Sequence, residues 1–239
     1  MTKTLKIACS GYGVVTDWYE GKDTNDILLV LPGYTSSRAR QKDYTEALVA
    51  ATGMSALVID YSGHGDSPFE LAETRPAQHL LEVVNAFDWL KAAYPSARIS
   101  VSGSSYGSFL AAQLSMFRQF DKLILRAPAI YKPKTFYDLW AIRLEDQEDY
   151  RTAMDAYRRD AAQLEQHPML ECADQFEGHT LVVVHENDEV VPRETTDAYI
   201  TAFMEDSFVA EDFTHSVGQS PITPQQLDEY HAKIADWLR

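Results

Sequence analysis

The chain has 239 residues, 45% of them hydrophobic and 24% charged, a composition that excludes disorder, collagen and coiled coil and fits a folded globular domain. Its 21 Lys and Arg against 36 Asp and Glu leave a formal charge of −15, a field that repels polyanions and anionic membrane surfaces, so nucleic acid is not an expected partner. The two cysteines, Cys9 and Cys172, stand far apart with no ligand set around either, so neither a disulfide framework nor a zinc site is implied and each is expected to be a structural thiol.

The opening MTKTLKIAC carries Lys3 and Lys6 and lacks the continuous apolar run of a signal peptide. The densest apolar run, ILLVL at 27–31, is far short of the ~20 residues that cross a bilayer. A soluble, cytoplasmic protein is the expectation. Residues 6–9 and 13–18 read as strands joined by a turn at Ser10 and Gly11, an antiparallel edge. Residues 27–31 read as a strand stopped by Pro32-Gly33 and followed by a helix over 39–51. The unit repeats: a strand at 56–59, a Gly-rich loop over 61–67, then a long helix that has Pro76 near its start and ends before Pro95. Leu80, Val83, Val84, Phe87 and Leu90 recur along that helix at the spacing of a buried face.

Three further runs, RISVS at 98–102, KLIL at 122–125 and LVVV at 181–184, are apolar nearly throughout, as strands covered on both faces must be. A helix over 109–117 follows the first of them. Residues 208–213 form a weaker strand, and an amphipathic helix over 225–238, opened by Thr223-Pro224, ends the sequence. Strands alternating with helices give the fold class α/β. The stretch from 128 to 174 breaks the rhythm: it has no strand signal, while 137–144 and 150–164 read as helical. It is expected to be an insertion covering one side of the sheet, either as a solvated excursion or as a lid.

One motif carries chemistry. Gly103-Ser104-Ser105-Tyr106-Gly107 fits Gly-x-Ser-x-Gly and lies between an expected strand and an expected helix. A serine alcohol is a poor nucleophile until a base takes its proton, and a tight strand-to-helix turn holds its oxygen where a base can reach it. Gly103 and Gly107 remove Cβ atoms that would clash as such a turn packs. Ser105, the middle residue, is the expected nucleophile.

With this motif the chain resembles the α/β-hydrolase superfamily over nearly its whole length, in particular its capped, carboxylesterase- or lipase-like serine esterases. The resemblance implies a mostly parallel central sheet of about eight strands, with helices on both faces. It also implies one domain spanning 1–239 with a helical cap inserted at about 128–175. In the family the acid and the histidine follow the nucleophile in that order, on loops after later strands. His185-Glu186-Asn187-Asp188-Glu189-Val190-Val191-Pro192 is similar to the acid loop and assigns the acid to Asp188, with Glu186 and Glu189 as neighbours able to substitute. The same order assigns the base to His215, in a loop beyond the weak strand. The loop Leu31-Pro32-Gly33-Tyr34-Thr35-Ser36-Ser37 resembles the family's oxyanion loop, although Pro32 stands where histidine is usual. The resemblance then places the oxyanion donors at the backbone N–H groups of Tyr34 and Tyr106. Residues 60–67 resemble a further family loop, Ser62 replacing arginine, and are read as scaffold; a metal site on His64 and Asp66 lacks further ligands at useful spacing.

The implied activity is hydrolysis of small to medium acyl esters through an acyl-enzyme, on a small-molecule substrate and with no cofactor. Thioester or carbon–carbon bond hydrolysis would use the same groups. From another class, a ligand-binding protein could keep the fold without turnover. The oligomeric state has no signature in the sequence.

Overall fold

The computed structural model describes residues 2–22, 24–141 and 147–239. Ser10 and Gly11, at φ 45° and 93°, reverse the chain within two residues, the left-handed geometry that suits the twist of a hairpin. The strands they join, β1 (Thr2–Cys9) and β2 (Tyr12–Tyr19), pair antiparallel in register from Cys9 opposite Tyr12. Apolar runs then supply β3 (Asp26–Leu31), β4 (Ser55–Ile59), β5 (Arg98–Ser104) and β6 (Lys122–Arg126), followed by β7 (His179–Asn187) and β8 (Asp206–Thr214). Among the described residues these form one eight-stranded sheet in the order β1-β2-β4-β3-β5-β6-β7-β8, parallel from β4 to β8 and antiparallel at the β1–β2–β4 edge.

The period of two along β3 sorts its side chains onto two cores. Ile27, Leu29 and Leu31 pack with Phe87 and Leu90 of α2 (Pro76–Ala93) and Phe109 and Leu110 of α3 (Tyr106–Ser115). Leu28 and Val30 face the other way, toward Tyr44 and Leu48 of α1 (Lys42–Thr52) and Ile234 and Leu238 of the terminal helix, Pro224–Leu238. Each fully buried side chain of this size contributes about 1.5–3 kcal/mol, so the two layers fix the sheet between them. In the long helix Leu80, Val83, Phe87 and Leu90 are buried as expected, while Val84 is only half-buried. Thr223 caps the terminal helix by accepting from the Gln226 N–H, and Gln226 answers to the Thr223 N–H.

Between β6 and β7 the chain forms α4 (Gln147–Arg159), α5 (Ala161–Glu165) and α6 (Pro168–Glu171). The single helix expected over 150–164 is broken at Asp160, whose extended backbone and side chain cap the next helix by accepting from the Gln163 N–H at 3.2 Å. The helix expected over 137–144 does not begin at Tyr137: residues 137–139 are irregular, and residues 142–144 lie outside the described residues. The cause is where the backbone bonds go. Trp140 N–H donates to Thr74 O at 2.9 Å, and Phe136 O accepts from Ala77 N–H at 3.1 Å, which ties this stretch to the start of α2. These three helices pack on α7 (Arg193–Phe203), an element without a counterpart in the sequence reading. Its two fully buried threonines, Thr195 and Thr196, dilute the apolar stripe that would announce it. With α7 in place the terminal helix is α8. No helix among the described residues is long and apolar enough to cross a membrane.

Because β3 and β5 to β8 run the same way, their carboxyl ends share one rim, where Leu31, Ser104, Arg126, Asn187 and Thr214 stop.

Candidate active site

Ser105 sits at that rim in a conformation that only a few non-glycine residues adopt, φ 53° and ψ −113°, between the last residue of β5 and the first of α3. Such backbone costs on the order of 1–3 kcal/mol and persists where its surroundings hold it. Here its N–H donates to Arg126 O at 2.8 Å, and its carbonyl accepts from Ser108 N–H at 3.0 Å and from Phe109 N–H at 3.2 Å. The flanking glycines are sterically required: a Cβ on Gly103 would lie 2.4 Å from the Gly107 carbonyl, and one on Gly107 would lie 2.0 Å from Leu31 O. Gly107 is therefore wedged between Gly103 of β5 and the end of β3.

His215 directly follows β8 and Asp188 directly follows β7, so adjacent parallel strands deliver them to the same rim. The His215 Nε2 lies 2.8 Å from Ser105 Oγ, and its Nδ1 lies 2.8 and 2.9 Å from the two Asp188 oxygens. A carboxylate accepts only, so Nδ1 carries the proton and Nε2 presents its lone pair to the serine hydroxyl. Burial raises the Asp188 carboxyl pKa. The hydrogen bond and charge of His215 and the N–H groups of Val191 and Val190 outweigh it and hold the group below its ordinary value.

The neighbouring carboxylates serve the backbone. Glu189 accepts the His215 N–H at 3.2 Å, and Glu186 accepts the Asp212 N–H at 3.0 Å. Of the other histidines, His185 is held between Thr214 O at 2.8 Å and Tyr230 Oη at 3.2 Å. His167 bonds Tyr131 O and Met169 N–H, His179 faces Glu205 at the opposite end of β7, and His231 packs on Tyr44 within α8. His64 and His79 both turn a ring nitrogen to Ser62 O. Asp66 pairs with Arg38, and among the described residues no group of three His, Cys, Asp or Glu side chains is placed to hold a metal.

The loop after β3 lies against Ser105: a Cβ on Gly33 would come 3.6 Å from Ser105 Cβ and 3.3 Å from Ser104 O. Tyr34 follows on this loop, and Tyr106 opens α3 immediately after Ser105. Where histidine is usual at position 32, the Pro32 carbonyl is braced by the buried Tyr61 hydroxyl, which donates to it at 3.0 Å. The loop over 60–67 likewise has a substitute for arginine at Ser62. Arg38 comes in from the neighbouring segment and pairs with Asp17, Asp60 and Asp66.

Two supports have no motif in the sequence. His79, fully buried in α2, has its Nδ1 2.9 Å from the Tyr106 hydroxyl, which fixes the side chain next to Ser105. Arg126, also buried, lies over the Tyr44 ring at 3.5 Å and donates to Gln41 Oε1 at 3.0 Å. An α-helical periodicity marks His79 as core, and an apolar strand gives no sign that its last residue is a charged one in use. A surface groove of about 440 Å³ opens at the other end of the sheet, beside Phe87, Ala97 and Phe120, and contains none of these groups.

A family model described as serine aminopeptidase, S33, matches residues 22–147. No curated protein matches the chain. Solved structures share its architecture. The esterase Pf2001 of Pyrococcus furiosus is 19% identical, with 100% of this chain and 91% of that chain covered and a TM-score of 0.72. Est1E of Butyrivibrio proteoclasticus, solved with ferulic acid bound, is 16% identical over 98% of each chain with a TM-score of 0.74. A putative alpha/beta hydrolase of Agrobacterium tumefaciens is 16% identical, over 99% of this chain and 94% of that chain, with a TM-score of 0.69. At these identities the likeness establishes the fold.

Proposed function

Since the chain belongs to the serine aminopeptidase S33 family of α/β hydrolases, we propose that it cleaves carboxylic esters through an acyl-enzyme formed on Ser105. The observation that carries this reading is the unbroken chain of hydrogen bonds from Ser105 through His215 to Asp188. His215 Nε2 takes the hydroxyl proton as Ser105 Oγ attacks the ester carbonyl, and the same proton then goes to the departing alcohol. Water repeats the sequence on the acyl-enzyme, with His215 again as base, and restores the free serine. Asp188 keeps the ring in the useful tautomer and stabilises the imidazolium. Its low proton affinity suits it to remain an anion throughout.

The backbone N–H groups of Tyr34 and Tyr106 are the oxyanion donors in this reading. What supports them is the contact of Gly33 with Ser105 and the start of α3 at Tyr106. The partial positive charge of the α3 N-terminus adds to that stabilisation. Each donor of this kind is worth about 3 kcal/mol in transition-state binding. The helical segment between β6 and β7 is the cap over the site, and the substrate is an ester of small to medium acyl size that needs no cofactor.

The family's description favours one second reading, release of amino-terminal residues from peptides by the same nucleophile. The test is hydrolysis of 4-nitrophenyl acetate and of amino-acid 4-nitroanilides by wild type and Ser105→Ala. Ester turnover that disappears in the variant supports the proposal. Turnover of the anilides alone supports the second reading, and equal rates in both proteins refute Ser105 as nucleophile.

A further inference from the structure

Two of the residues that adjoin Ser105 lead to a cluster of rings. Tyr34 follows the glycine that abuts the serine, and Tyr106 is its chain neighbour. Trp140 packs on both, its ring centroid 4.5 Å from that of Tyr34 and 5.5 Å from that of Tyr106. It also reaches Tyr131 at 6.1 Å. The indole is only 2% exposed and is among the largest buried side chains of the described residues. The space against the Tyr34 and Tyr106 rings is thus filled at the density of a protein interior.

The backbone that carries the indole is also anchored. The Trp140 main-chain N–H donates to Thr74 O, just before α2, and Phe136 O accepts from the Ala77 N–H in its first turn, so two backbone bonds pin the stretch to the start of α2. The anchoring residues are themselves placed: Thr74 is fully buried and its hydroxyl donates to Leu71 O at 2.8 Å. The backbone bonds fix where the side chain starts, the rings of Tyr34, Tyr106 and Tyr131 enclose it, and a packed interior resists overfilling.

We infer that Trp140 sets the upper size of the acyl group, and that the substrates are acetyl and propionyl esters while hexanoyl and benzoyl esters are excluded. This rests on the acyl-enzyme reading above and narrows it. One methylene too many in an apolar pocket changes kcat/KM by about 10–200-fold, so a chain four carbons longer is rejected strongly where the wall does not yield. Replacing the indole by a methyl group opens an apolar hole, and holes of roughly 150 Å³ in protein cores stay dry and take up benzene.

The experiment measures kcat/KM for 4-nitrophenyl acetate and 4-nitrophenyl hexanoate with the full chain as wild type, Trp140→Ala and Trp140→Leu. A fluorophosphonate probe of Ser105 and a melting curve accompany each protein. Wild type is expected to favour acetate by about tenfold or more, and Trp140→Ala to move the ratio toward hexanoate by at least about tenfold, mainly through a lower KM for the longer ester. Trp140→Leu moves it the same way by less. An unchanged ratio in a variant that melts cooperatively and reacts with the probe overturns the inference. So does a wild type that already hydrolyses hexanoate as well as acetate, whether or not either variant folds. A wild type that neither reacts with the probe nor hydrolyses either ester instead overturns Ser105 as nucleophile, and this inference with it.

Discussion

The rim around Ser105 is made of two unlike regions. Toward His215 and Asp188 it is held by hydrogen bonds of 2.8 and 2.9 Å between residues at the ends of β5, β7 and β8. Toward Trp140 it is held by ring contacts and by backbone bonds to α2. Hydrogen bonds fix angles as well as distances, and a displaced reacting group loses rate steeply. Ring contacts fix volume, and other apolar side chains of similar size would fill the same space. On the proposed reading, reactivity belongs to the polar region and selectivity to the aromatic one, so the two are separable by substitution.

The severest way to break that division is His215→Ala. The kcat for a short ester should fall by between ~10⁴- and ~10⁶-fold while the urea midpoint moves little, and a loss below tenfold would remove the polar region from the chemistry. His231→Ala, in α8, is the control and should leave kcat in place. The rigidity of the polar region is tested at Gly107, where an added Cβ meets Leu31 O at 2.0 Å. Gly107→Ala should lower the unfolding free energy by more than about 4 kcal/mol, and a change under about 1 kcal/mol would mean that the turn relaxes.

A smaller effect concerns pH. Burial, against the Thr214 carbonyl bond, brings the His185 pKa from 6.5 down to about 4, and this ring supports the residue just before His215. Between those values the unfolded chain binds a proton that the folded chain refuses. Stability therefore falls as pH drops from 6.5 toward 4 and is fully regained above 6.5, the total being at most about 3 kcal/mol. Urea titrations of wild type and His185→Gln at several pH values should show a flatter slope in the variant; equal slopes would exclude His185 as the source.

How much of this was legible in the sequence follows the same division. Each strand of the parallel sheet except β8, whose signal is weaker, appears as an apolar run, and the turn at Ser105 is written in two glycines where a Cβ would have no room. Asp188 and His215 take their places from the resemblance in chain order, and the fold brings them within hydrogen-bond distance of each other. The aromatic region was far less legible. Amphipathic spacing over 137–144 says that a stretch could be helical, but the bonds of Trp140 and Phe136 to α2 join residues more than 50 positions apart, and local pattern carries no sign of them. The break at Asp160 was readable as a cap but is overrun by helix-forming neighbours on both sides. His79 meets the Tyr106 hydroxyl, Arg38 the Asp60 carboxylate and Tyr61 the Pro32 carbonyl, all distant in the chain, and their spacing holds no motif.

The positive φ of Ser105 has a consequence for how such a protein can change over generations. A glycine there would sit comfortably in the backbone and silence the hydroxyl in the same step. If Ser105 is the nucleophile proposed above, heat tolerance and turnover are set against each other at one position, and a lineage that no longer needs the reaction has an easy substitution waiting for it.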